Sequence, residues 1–155
     1  MHLLDLLSPG RVVVPGPIPG KKRLLERAAA LLAGGSAELE RAVFDALVGR
    51  ERMGSTGLGH GVAIPHGRST QVATATGCFL RLPDPVDFGS PDGQPVDLVF
   101  ALVVPEHFTS QHLVLLSQLA EMFGDAAFRD QLRAAPDGGA LYSLLSGWQP
   151  AATEA

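Results

Sequence analysis

The stretch Val96-Asp97-Leu98-Val99-Phe100-Ala101-Leu102-Val103-Val104 decides the fold class, because after Asp97 it offers water no polar position on either face of an extended chain. A strand with one wet face alternates apolar and polar residues; an unbroken aliphatic run is covered on both faces. Working outward, residues 72–82 form a second β-branched and aliphatic run, and Gly61-Val62-Ala63-Ile64 a short one ending at Pro65. Val12-Val13-Val14 reads as a further short strand, held between turns by four prolines and three glycines from Ser8 to Gly20. The segments between are periodic instead. Leu24, Leu25, Ala28, Leu31 and Leu32 recur at helical spacing over 21–33, with Gly34-Gly35 as the stop. Ser36 suits the N-cap of a second helix with the stripe Leu39, Val43, Phe44 and Leu47, ending near Arg50 to Met53. Residues 83–93 read as a loop or irregular hairpin. A helix from Ser110 carries Leu113, Leu116, Leu119, Ala120 and Phe123 on one face and stops at Gly124; two more follow over about 125–134 and 137–145, with Pro136 at their junction. Residues 147–155 read as a frayed tail. Strands interleaved with helices give an α/β layered fold, read as a single domain over 1–155 with its core over about 4–145.

Composition bounds the function. The chain has 155 residues, a formal net charge of -4, 46% apolar residues and 18% charged ones, which suits one globular domain. The acidic balance argues against nucleic acid and anionic membrane as partners, since both need clustered Lys and Arg. The single cysteine, Cys78, excludes an internal disulfide and suits a reducing compartment. No apolar run approaches the roughly 18–20 residues of a membrane span. The opening MHLLDLLSPG lacks a basic region and carries Asp5 inside its apolar stretch, unlike a secretory signal. The expectation is a cytoplasmic domain with no direct membrane insertion.

Five histidines, His2, His60, His66, His107 and His112, are the first candidates for chemistry. His66 lies in Ala63-Ile64-Pro65-His66-Gly67-Arg68, directly after the short apolar strand. Pro65 fixes its own φ and biases Ile64 toward extended backbone, while Gly67 allows another backbone to come close. His112 falls in the first turn of the helix from Ser110, where free N–H groups attract anions and disfavour imidazole protonation. Taken singly, each is also an ordinary residue, one in a turn and one in a helical first turn. Ser55-Thr56-Gly57-Leu58-Gly59-His60-Gly61 is a glycine-rich, hydroxyl-bearing loop whose amides can cradle an oxyanion. It lacks the lysine of a P-loop and the strand–GxGxxG–helix order of a dinucleotide site. Arg50 and Arg52, at the end of the second helix, complement its dipole, and either guanidinium can clamp a phosphoryl group. No histidine pair has the i, i+4 spacing of a helical zinc site, Cys78 has no partner thiol, and no G-x-S-x-G elbow occurs.

Read as one block, Arg50-Glu51-Arg52-Met53-Gly54-Ser55-Thr56-Gly57-Leu58-Gly59-His60-Gly61-Val62-Ala63-Ile64-Pro65-His66-Gly67-Arg68 resembles the active-site region of the type-2 EIIA domains of the bacterial phosphoenolpyruvate-dependent phosphotransferase system, the fructose/mannitol class. A second block agrees independently: Gln94-Pro95-Val96-Asp97-Leu98-Val99-Phe100-Ala101-Leu102-Val103-Val104-Pro105, followed by His112-Leu113. The wording of both is nearest to the nitrogen-regulatory branch, IIA-Ntr. The resemblance implies a mixed β-sheet flanked by helices on both sides. It also implies a phosphocarrier that needs no cofactor, metal or nucleotide and turns over no small molecule alone.

On that resemblance His66 is the phosphorylated residue, accepting at Nε2 from the phosphohistidine of an HPr-like carrier (NPr in the nitrogen branch). His112 hydrogen-bonds the phosphoryl group, Arg50 offsets its charge, and Ser55 and Thr56 support it. His60 stands where nitrogen-branch proteins usually have Asn, and is a candidate modulator that can hydrogen-bond His66, compete for phosphate or change partner choice. Leu58, Val62 and Ile64 are the expected rim of the partner surface. Downstream partners would be regulatory targets such as potassium-transport regulators or sensor kinases. The alternatives are a sugar-specific IIA subunit that passes phosphate to a IIB cysteine, and a binding module that works by contact alone.

Overall fold

The computed structural model describes residues 3–107 and 110–149. Its centre is the apolar run. Strand β6 (Val96–Pro105) pairs antiparallel with β5 (Thr76–Val86) on one side, and β1 (Val12–Val13) adds parallel to β5. On its other side β6 pairs in parallel with two short strands in succession, β3 (Val62–Ala63) and β4 (His66–Ser69), and β2 (Gly57–Gly59) closes that edge against β3. The result is a mixed six-stranded sheet.

Helices α1 (Lys21–Ala33) and α2 (Ala37–Glu51) cover one face, and α3 (Ser110–Gly124), α4 (Ala126–Ala134) and α5 (Gly138–Gly147) the other. The period of two along β6 divides its side chains between two cores. Leu98, Phe100, Leu102 and Val104 pack with Leu115, Leu119, Leu132 and Leu141; Val99, Ala101 and Val103 pack with Leu24, Ala28, Val43 and Leu47. The doubly covered strand read from the sequence is what the fold contains. Ser36 caps α2 by accepting from the Leu39 N–H at 3.2 Å, and Asp125 and Asp137 do the same for α4 and α5.

Several expectations are corrected. The strand expected over 72–82 begins later, at Thr76, and runs through Pro83 and Pro85 to Val86, so that of the loop or irregular hairpin expected over 83–93 it is the irregular hairpin that forms. Val72 instead closes a turn onto the Ser69 carbonyl. The prolines are tolerated because the pairing with β6 is irregular between Arg81 and Val86, and β1 reaches only Phe79 and Leu80 on the other side. On α3 the buried face is His112, Leu115, Leu119, Met122 and Phe123; Leu113 is 67% exposed and Ala120 is exposed too. Leu119 and Phe123 of the expected stripe are thus buried, while the rest of the buried face is shifted toward His112, an imidazole that a hydropathy pattern counts as polar. Trp148, expected in a frayed tail, packs against the core, while 150–155 lie outside the described residues.

Candidate active site

His66 is mounted on the sheet. Strands β3 and β4 line up against β6, at Leu98–Val99 and Leu102–Pro105, and are interrupted only by Ile64-Pro65. Pro65 has no N–H to give, but its carbonyl still accepts from the Leu102 N–H at 3.0 Å. His66 opens β4 opposite Leu102, so a residue that read as lying in a turn is held by a ladder. Gly67 permits the close approach expected of it: a Cβ there would lie 2.9 Å from the backbone of Ala46 on α2.

The half-buried His66 ring is oriented by its own neighbour, Nδ1–H donating to the Ile64 carbonyl at 2.8 Å. That bond fixes the proton on Nδ1 and leaves the lone pair on Nε2. Burial lowers the pKa of His66, and the cations of Arg50 and Arg68 lower it further, against the opposing pull of the Ile64 bond and Glu51. The ring is therefore neutral near neutral pH. Beside it stands His112 on the first turn of α3, ring centroids 5.3 Å apart and planes at 83°. His112 is 5% exposed, and burial together with His66 and Arg68 pushes its pKa down to about 4. Its Nε2 has no hydrogen-bond partner among the described residues.

A depression of about 200 Å³ opens at His66, bordered by Arg50, Ser55, Thr56, Leu58, Ile64, Leu116 and Ala120. The second apolar face of α3 lines this hollow. Arg50 contributes Nη1–H to the Gly54 carbonyl at 2.9 Å. The hydroxyls of Ser55 and Thr56 reach the same hollow with their protons committed, Ser55 to the Phe88 carbonyl at 2.9 Å and Thr56 to the Glu51 carboxylate. Glu51 also accepts from the Thr56 N–H at 3.0 Å and pairs with Lys21 at 2.8 Å. The Lys21 ammonium lies 4.5 Å from the centroid of the Phe88 ring.

Of the sequence candidates, His66, His112, Arg50, Ser55, Thr56 and Leu58 are brought together. Val62 and Ile64 are corrected: at 1% and 3% exposure they belong to the core and cannot form an outer rim. Alternation along β3 turns Val62 inward, and Ile64 meets the hollow only as its floor. Leu58 (45% exposed) borders the hollow, and Leu113 (67%) and Val114 (51%), which follow His112 on α3, are exposed apolar residues as well. His60 does not contact His66. It lies in a separate hollow with Gln94, Asp97 and Arg133, in the left-handed conformation at φ 57°. Its N–H donates to Asp92 at 2.9 Å, and its carbonyl accepts from Arg133 at 2.6 Å. That backbone conformation favours Asn, and a histidine occupies it at some strain.

His107 stands in a turn beside Thr70 and Val72, Arg52 borders the groove between α1 and α2, and His2 lies outside the described residues. Cys78 is fully buried, and burial pushes its thiol up to about 12, so it offers no nucleophile. Among the described residues no cluster of His, Cys, Asp and Glu is placed to hold a metal, and no helix is long and apolar enough to cross a membrane.

Sequence reasoning missed two residues of the site. Glu51 and Arg68 stand in the quoted block, but their partners, Lys21 and His112, lie 30 and 44 positions away. The sequence held no signal for either: only once β4 is known to be a strand does its period of two put Arg68 on the face of His66.

Residues 5–148 match the family described as "Phosphoenolpyruvate-dependent sugar phosphotransferase system, EIIA 2". The nitrogen regulatory protein of Pseudomonas aeruginosa is 46% identical over 146 residues, covering 94% of this chain and 95% of that one. The crystal structure of IIA-Ntr from Neisseria meningitidis superposes with a TM-score of 0.87 at 43% identity, over 92% of this chain and 98% of that one. The mannitol IIA of Escherichia coli, at 22% identity and a TM-score of 0.75 over 90% and 98% of the two chains, shares the fold. With the histidine on its interrupted strand and this likeness along nearly its whole length, the chain belongs to the EIIA type-2 family of the phosphoenolpyruvate-dependent phosphotransferase system.

Proposed function

We propose that the protein is a phosphocarrier that accepts a phosphoryl group on His66 Nε2 from an HPr- or NPr-type phosphohistidine protein and regulates target proteins according to its phosphorylation state. The observation that carries this reading is the bond from His66 Nδ1–H to the Ile64 carbonyl, which leaves a neutral ring with its lone pair on Nε2. In the transfer that lone pair attacks phosphorus. The bond between phosphorus and the donor's imidazole nitrogen breaks, and its electron pair returns to the donor ring. The proton stays on Nδ1, still donated to the Ile64 carbonyl, so the exchange balances without a further reactant.

Phosphoryl transfer gains most from positioning and charge stabilisation. Arg50 beside the hollow and the buried His112 next to His66 supply it, with Ser55 and Thr56 shaping the loop. The exposed Leu58, Leu113 and Val114 would receive the donor protein. The similarity to nitrogen regulatory proteins favours the nitrogen branch over a sugar-specific subunit that hands phosphate to a IIB cysteine. The reading sets the carrier in the cytoplasm with its donor, as a phosphotransferase component with no small-molecule turnover of its own.

The test is phosphotransfer in vitro from phosphoenolpyruvate through enzyme I and either an HPr- or an NPr-type carrier, with His66→Ala alongside. An acid-labile, base-stable adduct of one phosphoryl group, seen by intact mass and phosphorus NMR and absent in His66→Ala, is the expected result. No adduct with either carrier sinks the reading and leaves a module that acts by contact alone.

A further inference from the structure

Arg68 has no part in the site read from the sequence. It sits two residues beyond His66 on β4, exposed to solvent, yet its Nε–H donates to Nδ1 of the buried His112 at 3.2 Å. A guanidinium does not give up its proton, so the nitrogen that accepts from it is the unprotonated one. A neutral imidazole carries one N–H, and here that proton belongs on Nε2. This Nε2 is buried without a partner among the described residues, a state that a fold rarely leaves uncompensated. The ring stands at 83° to that of His66 with centroids 5.3 Å apart, close enough for a group attached to His66 to bring it new acceptor oxygens.

We propose that Arg68 is a positioning residue: by donating to Nδ1 it holds His112 as the Nε2–H tautomer, so that the buried ring presents a donor to an oxygen of the phosphoryl group carried on His66. This rests on the phosphocarrier reading. Without the Arg68 bond the proton is free to move to Nδ1, and Nε2 would then turn a lone pair toward an anion. The cost would be repulsion as well as a lost hydrogen bond. Arg68 thus works through a second ring and across 44 positions of sequence.

The test is imidazole nitrogen NMR on the full chain, with and without phosphorylation, for the wild type, Arg68→Met and Arg68→Lys. Because Arg68 is exposed, both variants are expected to fold, and the amide spectrum checks this. The wild type should show His112 as a single Nε2–H tautomer whose Nε2 signal moves on phosphorylation. Arg68→Met should show shifts averaged between the two nitrogens and accept phosphate about tenfold more slowly. Across the three proteins the rate should follow the Nε2–H fraction. An averaged wild-type ring, an unchanged tautomer in Arg68→Met, or a rate restored by Lys while the ring stays averaged would each overturn the proposal. If the wild type accepts no phosphate from either carrier, the phosphocarrier reading falls instead, and the tautomer spectrum still decides whether Arg68 sets the ring.

Discussion

Lys21, the first residue of α1, and Glu51, the last of α2, meet at 2.8 Å, with the carboxylate side chain only 5% exposed. The pair ties the outer ends of two helices to the loop that borders His66, because Glu51 also receives the backbone and hydroxyl of Thr56. A buried carboxylate with a cation and two further donors is satisfied; remove it and three donors lose their acceptor together.

Glu51→Ala should therefore destabilise the fold by about 2–3 kcal/mol, and Glu51→Gln, which keeps an acceptor without the charge, by about 1 kcal/mol. Chemical denaturation measures both. A loss below about half a kcal/mol for Glu51→Ala would show that the network is not holding the loop.

Stability should fall with acid in a window set by His112. Its pKa is about 4 in the folded chain, against an ordinary value near 6.5. As pH drops below about 6.5 the unfolded chain takes up this proton before the folded one does. Folding stability is therefore fully present above that pH and declines toward about 4. A tenfold difference in proton affinity is worth about 1.4 kcal/mol, so the loss is at most about 3.5 kcal/mol. Denaturation curves at a series of pH values should show a shallower decline for His112→Gln; equal slopes would reject the assignment.

Gly67→Ala should cost about 1–3 kcal/mol, because the new methyl group meets the Ala46 backbone at 2.9 Å and either β4 or α2 must yield. Since His66 is the adjacent residue on β4, phosphate acceptance should slow as well. A variant with unchanged Tm and unchanged acceptance would mean that α2 can retreat without moving the strand.

Leu113→Asp should leave stability within about half a kcal/mol, as expected of a residue 67% exposed. It should nonetheless raise the KM for a phosphorylated carrier about tenfold, since a charge in the apolar centre of an interface must be desolvated. Equal KM values for the two proteins would move the docking surface elsewhere.

What the sequence made legible follows the range of each interaction. Helix α1 could be read over Lys21–Ala33 because its stripe and its glycine stop are local, and β6 because burial on both faces leaves an unbroken apolar run. Strand β4, His-Gly-Arg-Ser, carries no strand signature at all: it is extended because β6 lies beside it. The same holds in the site. His66 could be found from its block of neighbours, whereas the bonds that set its surroundings, Arg68 to His112 and Lys21 to Glu51, join residues the chain brings together only by folding. The face of α3 was half legible for a related reason: Leu119 and Phe123 stood in its stripe, but His112, whose Nδ1 accepts from Arg68 on another element, is a polar residue that hydropathy could not place inside.

The interruption at Ile64-Pro65 leaves His66 on a strand that is hydrogen-bonded to the middle of the sheet, and not on a lid or a hinge. On the proposed reading, a phosphoryl group added there is carried by a strand laddered onto the central β6. The loaded and empty forms should then share one outline and differ in local charge, so a target that tells them apart must weigh an anion instead of recognising a new shape. Backbone chemical shifts of the two forms should coincide away from His66, His112 and the loop at Ser55 to Leu58, and wider changes would contradict this. Regulation of that kind is as fast as the chemistry that loads the histidine, because no refolding step stands between signal and reader.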